Sequence, residues 1–128
     1  MRALILVLVG CGGAAPASTS STTFKASDLR PSSDGTRPLI APNRLEALRI
    51  AGDLVIKPDD MQSRFAKFKF CVDVTGKVGD IEQLRSSGDG RYDAKIERGI
   101  QQWAYRPVIV DGQPTAVCSE IGFMYNYR

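Results

Sequence analysis

From Lys67 onward, apolar and polar residues alternate: Phe68, Phe70, Val72 and Val74 fall on one side of an extended chain, and Lys67, Lys69, Cys71 and Asp73 on the other. A period of two marks a half-buried strand, because successive side chains point to opposite faces. Thr75-Gly76-Lys77 supplies a turn in which Gly76 can take positive φ, and residues 78–84 return as a second strand with Val78, Ile81 and Leu84 as its apolar content. The two segments predict a hairpin. Residues 86–91, with Gly88-Asp89-Gly90, read as a loop. After it the period lengthens, with Tyr92, Ile96, Ile100 and Trp103 on one helical stripe that Pro107 should end. Asp111-Gly112 makes a further turn, and Val117, Ile121, Phe123, Tyr125 and Tyr127 mark a last alternating strand.

Upstream of the hairpin, Asn43-Arg44-Leu45-Glu46 resembles a capping box, with Asn43 as N-cap and Glu46 reaching back. Leu45 and Leu48 share one face, and Gly52 is placed to stop the helix. Residues 53–64 carry no clear periodicity and are read as a turn or a short helical piece. The order is helix, strand, strand, helix, strand. It predicts an α+β domain over residues 39–128: a small antiparallel three-stranded sheet packed by two helices.

The first eleven residues bear on compartment. Arg2 gives one positive charge, residues 3–9 are an unbroken apolar run, and Gly10 directly precedes Cys11. This reads as an export signal over residues 1–10, too short to span a bilayer, which takes about 20 residues. Leu8-Val9-Gly10-Cys11 resembles the lipobox of bacterial lipoproteins, in which the cysteine is lipidated. The competing reading is a buried strand over residues 3–9 with an ordinary thiol at Cys11. Residues 11–38 then form the lipidated Cys11 and a tether, since their Ala, Ser, Thr, Pro and Gly content predicts disorder.

Composition narrows the chemistry. The chain has 17 Lys plus Arg against 14 Asp plus Glu, and the basic residues are scattered without interleaved aromatics, which argues against nucleic-acid binding. There is no histidine, so Ser-His-Asp and Cys-His catalysis are excluded, and two strand cysteines alone make a poor metal site. No cofactor motif is present. Asp59 with Asp60, or Asp89 with Asp93, could be paired acids, but carboxylates beside Pro and Gly are more often caps and solvated turns. Trp103 and Tyr105 could stack on a ligand and are read instead as core. Cys71 and Cys118 lie on the first and last strands, both opposite the main apolar stripe, so they share a face and can form a disulfide in an oxidising compartment. The alternative is two separate thiols packed as small hydrophobes.

Trp103-Ala104-Tyr105-Arg106-Pro107, then Asp111-Gly112-Gln113-Pro114 and an apolar strand, resemble the signature of the TonB C-terminal domain family. Ser86-Ser87-Gly88 and the Gly76 turn sit where that family has its Ser-Ser-Gly loop and glycine turn. Two features depart from it: residues 54–66 form a longer passage, and Cys11 stands in place of a transmembrane anchor. The resemblance implies a non-enzymatic binding module. Its last strand, through Val117, Ser119, Ile121, Phe123 and Tyr125, would accept an extended segment of an envelope protein by strand addition, a TonB-dependent receptor being one candidate. Held at a membrane by lipid and facing the periplasm, such a module would capture a partner without pulling on it. The alternative is an assembly lipoprotein that docks to an envelope complex or forms a homodimer.

Overall fold

A computed structural model describes residues 22–32, 34–59 and 62–126. Their elements run β1 (Thr23–Phe24), a 3-10 turn (Ala26–Asp28), α1 (Pro42–Leu48), β2 (Arg49–Ala51), β3 (Arg64–Val72), β4 (Val78–Arg85), α2 (Gly90–Gln101), β5 (Ala104–Tyr105), β6 (Ile109–Val110), β7 (Gln113–Pro114) and β8 (Val117–Tyr125). The main sheet has the order β4-β3-β8 and is antiparallel throughout. The expected α+β class, two helices on a three-stranded antiparallel sheet, is therefore what forms. Two small additions join it, a β2-β5 pair and a β1-β6-β7 ribbon.

Period-two residues build the core. Phe68, Phe70 and Val72 of β3 are buried, and β8 sets Ile121, Ser119 and Val117 directly opposite them. Leu45 and Leu48 of α1 and Tyr92, Ile96 and Ile100 of α2 are buried on the helices' apolar stripes. Phe70 meets Trp103 edge-on at 5.7 Å and stacks on Tyr105 at 5.9 Å, so these two aromatics are core as expected. Burial pushes the Tyr105 hydroxyl well above its ordinary pKa. The β3–β4 turn depends on Gly76: its φ is +89°, and a Cβ there would collide with the Tyr105 carbonyl oxygen.

Several local expectations are corrected. Helix α1 starts at Pro42, whose fixed φ suits the first helical position, with Ala41 as N-cap. Asn43 is already helical and Glu46 pairs with Arg49 at 2.6 Å, so no capping box forms. The helix ends at Leu48 because residues 49–51 are drawn into pairing with β5, and Gly52 packs against Trp103 instead of stopping a helix. Helix α2 ends at Gln101, well before Pro107, since Trp103 turns into the core and Ala104–Tyr105 pairs with β2. Strand β3 begins at Arg64 and ends at Val72, which leaves Val74 exposed in the turn. Residues 53–59 form no helix: Leu54 packs on Gly99 of α2, and Asp59 pairs with Lys95 at 3.2 Å.

The largest difference is in the segment assigned to a tether. Its described part, from Thr22, folds onto the domain: β1 pairs in parallel with β6, Phe24 is buried, and Arg30 bridges to Leu39. Its one aromatic and the backbone groups of Phe24, Arg30 and Pro38 find partners in the folded domain, an outcome that composition does not encode. The signal segment and Cys11 lie outside the described residues. Among the described residues no helix is long and apolar enough to cross a membrane.

Candidate functional site

Strand β8 has one neighbour, β3, and pairs with it without a register shift from Val72↔Val117 to Arg64↔Tyr125. Its other side is the edge of the sheet. Two halves of that edge differ. Residues 117–119 are all buried, whereas Gly122, Met124 and parts of Glu120, Ile121, Phe123 and Tyr125 reach solvent.

The closed half is built around a disulfide. Cys71 and Cys118 sit directly opposite each other, Cα to Cα 3.9 Å apart, and are bonded, as their shared face predicts. So close a pair is the non-hydrogen-bonded kind, in which backbone groups point away from the partner strand. They point instead at residues 38–40: the Cys118 N–H donates to the Pro38 carbonyl at 2.9 Å, and the Ile40 N–H donates to the Cys118 carbonyl at 2.8 Å. Residues 30–32 and 34–40 thus form a strap across the start of the edge, closed on itself by the Arg30–Leu39 bridge.

The strap also covers the back of the sheet. Lys69, expected on a solvated face, is 6% exposed; its ammonium donates to Ser32 Oγ at 3.4 Å and pairs with Asp34 at 3.8 Å. Ser32 donates to Asp34, and this bond, with further bonds from Thr36, holds the Asp34 carboxyl well below the usual carboxylate range. A cleft of about 300 Å³ beside the strap is lined by Asp34, Arg37, Lys69 and Asp80, with Arg37 on Asp80 at 2.8 Å.

In the open half, alternation from Cys118 assigns the remaining groups. Val117, Ser119, Ile121, Phe123 and Tyr125 turn their backbone toward β3 and their side chains to the helix face, while Glu120, Gly122 and Met124 turn their N–H and C=O groups outward. The edge strand is thus the one expected, but the groups it offers belong to the intervening residues. Among the described residues, no backbone bond outside the β3 ladder reaches Glu120, Gly122 or Met124. On the back of the sheet the Phe65 ring lies over Gly122, Arg85 sits over that ring at 5.0 Å, and Lys67 pairs with Glu120 at 3.3 Å. A signal for this parity was present in the sequence: two cysteines opposite each other on neighbouring antiparallel strands mark a non-hydrogen-bonded pair, and from Cys118 the even-numbered residues face out.

The candidate acids are not gathered into a catalytic pair. Asp59 pairs with Lys95 at the surface, and Asp60 lies outside the described residues. Asp89 is the N-cap of α2, accepting the Arg91 N–H at 2.9 Å. Burial raises the Asp93 pKa, but bonds from the Ser86 and Ser87 hydroxyls, the Ser87 N–H and the Gln83 amide outweigh it and leave the carboxyl below its ordinary value. That network ties the Ser86-Ser87-Gly88 loop to the helix. No group of three or more metal-ligating side chains occurs among the described residues.

No protein-family model matches the chain, and no curated protein does. Among solved structures it is similar to the solution NMR structure of the Pseudomonas aeruginosa TonB C-terminal domain, at 18% identity over 83% of this chain and 93% of that one, with a TM-score of 0.43.

Proposed function

We propose that this protein is a lipid-anchored envelope module that captures an extended segment of an envelope protein by adding it as a fourth strand to the sheet, beside β8, with no catalytic step. The observation that carries the reading is the row of outward backbone groups at Glu120, Gly122 and Met124, which meet no backbone partner among the described residues outside the β3 ladder. Unpaired donors and acceptors in a regular row are a template for another strand. The likeness of Trp103-Ala104-Tyr105-Arg106-Pro107 and the Gly112-Gln113-Pro114 turn to the TonB C-terminal signature supports the same role, with the N-terminal segment of a TonB-dependent receptor as a candidate ligand. Cys11 would hold the module at a membrane, facing the periplasm.

Titration of the mature protein with receptor N-terminal peptides, followed by NMR, tests this. Saturable binding that moves the Glu120, Gly122 and Met124 amides is expected; no saturable binding, with those amides unmoved, sinks the reading. Stable dimers on size exclusion, with the same amides protected, would favour a homodimer through this edge. Metabolic labelling with a fatty acid should mark the full chain and leave the Cys11→Ser variant unmarked.

A further inference from the structure

We infer that residues 38–40 are a fixed stop on the capture edge. They fix where a captured segment starts, beside Glu120, and the rest of β8 to Tyr125 leaves about six residues of edge that select a segment with apolar side chains at every second position. This rests on the strand-capture reading above and adds to it where the segment starts, how long it is and what pattern it carries.

The stop follows from what already occupies Cys118. Both of its outward groups are taken by Pro38 and Ile40, so a partner strand cannot extend over it without displacing them. Displacement is opposed from several directions. Ile40 is 2% exposed, within the core, and residue 42 already begins α1. Leu39 is bonded both ways to Arg30, and farther back Ser32 and Asp34 engage the buried Lys69. Cys118 itself is tied covalently to Cys71. Neither side of the Cys118 contact can peel away without opening the core or breaking a bond.

The rest of the edge sets length and pattern. Six residues at about 3.3 Å each give a slot of roughly 20 Å. Within it three residues, Glu120, Gly122 and Met124, offer one donor and one acceptor apiece. An added strand lies beside Ile121, Phe123 and Tyr125 on the helix face, all half-buried and apolar, with Phe123 packed on Phe68 and Trp103 at 6.3 Å each. On the other face it lies beside an acid, a glycine and a methionine. Every second side chain of the captured segment therefore extends the apolar face, and the others stay polar.

The probe is a host peptide of alternating valine and threonine with terminal lysines, in lengths of about four to ten residues, titrated into the full chain by calorimetry and followed at the amides. Affinity should rise to about six residues and then level off, with the Cys118 and Ile40 amides unmoved and still protected from exchange. A peptide of the same composition with its valines in one block should bind about tenfold more weakly. Affinity that keeps climbing with length while the Ile40 amide loses protection would overturn the stop and leave capture standing. Equal binding of the block peptide would overturn the pattern. Absence of binding at every length would remove capture itself, and the stop with it.

Discussion

The sheet has two edges, and they are finished differently. Strand β4 carries Asp80, Glu82 and Arg85 along its length, and its register against β3 shifts twice. Charges and bulges of this kind blunt an edge against pairing. Strand β8 runs unshifted for nine residues with Glu120 as its one charged side chain, and its blunting is confined to the strap at Cys118. The anchorage differs as well: β8 is held by a covalent bond, whereas β4 is held at its ends by two carboxylates, Asp73 in the turn before it and Asp93 after it. An edge broken by charge and bulges resists pairing, whereas one stapled and left straight keeps the regular row of backbone groups on which the proposed capture rests.

The largest effect should come from unstapling β8. Cys71→Ala with Cys118→Ala opens a loop spanning a separation of 47 residues, which in the chain-entropy model costs about 4 kcal/mol. In urea the midpoint should fall accordingly, and the strap amide of Ile40 should exchange faster because its acceptor, the Cys118 carbonyl, is less firmly held. An unchanged midpoint would mean that the strap alone fixes the start of β8. Removing the polar anchor of β4 comes next. Asp93→Ala leaves the Ser86 and Ser87 hydroxyls, the Ser87 N–H and the Gln83 amide without their shared acceptor, a loss of about 2 to 3 kcal/mol by denaturant unfolding. A loss confined to a few tenths would show that the loop rebonds to water.

Acid separates the two edges without mutation. Asp73 is lowered by the Thr75 hydroxyl and the Lys77 N–H, and Asp93 lies below its ordinary value for the reasons given above. Each folded pKa is thus below its unfolded one. The stabilisation is fully present above the unfolded value, about 3.9, and is lost as pH falls through the folded value. Exchange measured at pH 3 and pH 6, corrected for intrinsic rates, should show β4 losing protection before β8, whose disulfide does not titrate in this range. Asp93→Asn should shrink that difference. Uniform loss across both strands would break the comparison.

Residues with a strong period were legible in the sequence. Phe68, Phe70 and Val72, or Tyr92, Ile96 and Ile100, repeat at the spacing their element imposes, and the shared parity of Cys71 and Cys118 carried the disulfide with it. The strap was not legible because its order comes from elsewhere. Phe24 is one apolar residue in a run whose composition matches a linker, and it is buried through β6, a segment far along the chain. Lys69 reads as solvent-facing for the same reason: only when Ser32 and Asp34 arrive over the sheet can its charge be buried with partners. The edge strand itself was legible. Which of its residues turn backbone groups outward follows from the register that sets Cys71 opposite Cys118, and that register is fixed by the packed sheet.

The smallest expected effect on stability is the most informative about function. Met124 is 67% exposed and its N–H points away from β3, so Met124→Pro removes no ladder bond and costs little packing. Proline is tolerated at such an edge position, and the urea midpoint should shift by less than about 1 kcal/mol equivalent. The same substitution deletes the last of the three outward donors in the open half and places a ring where a partner strand would lie. Binding of the valine-threonine peptide should then fall at least about tenfold, with the Cys71–Cys118 disulfide and the Ile40 amide unchanged. A matched change on the other edge, Glu82→Gln, removes charge from β4 and should leave binding untouched. If Met124→Pro binds as the parent does while Glu82→Gln gains or loses affinity, β4 is the docking edge. The contrast between a blunted and an available strand would then have to be reversed.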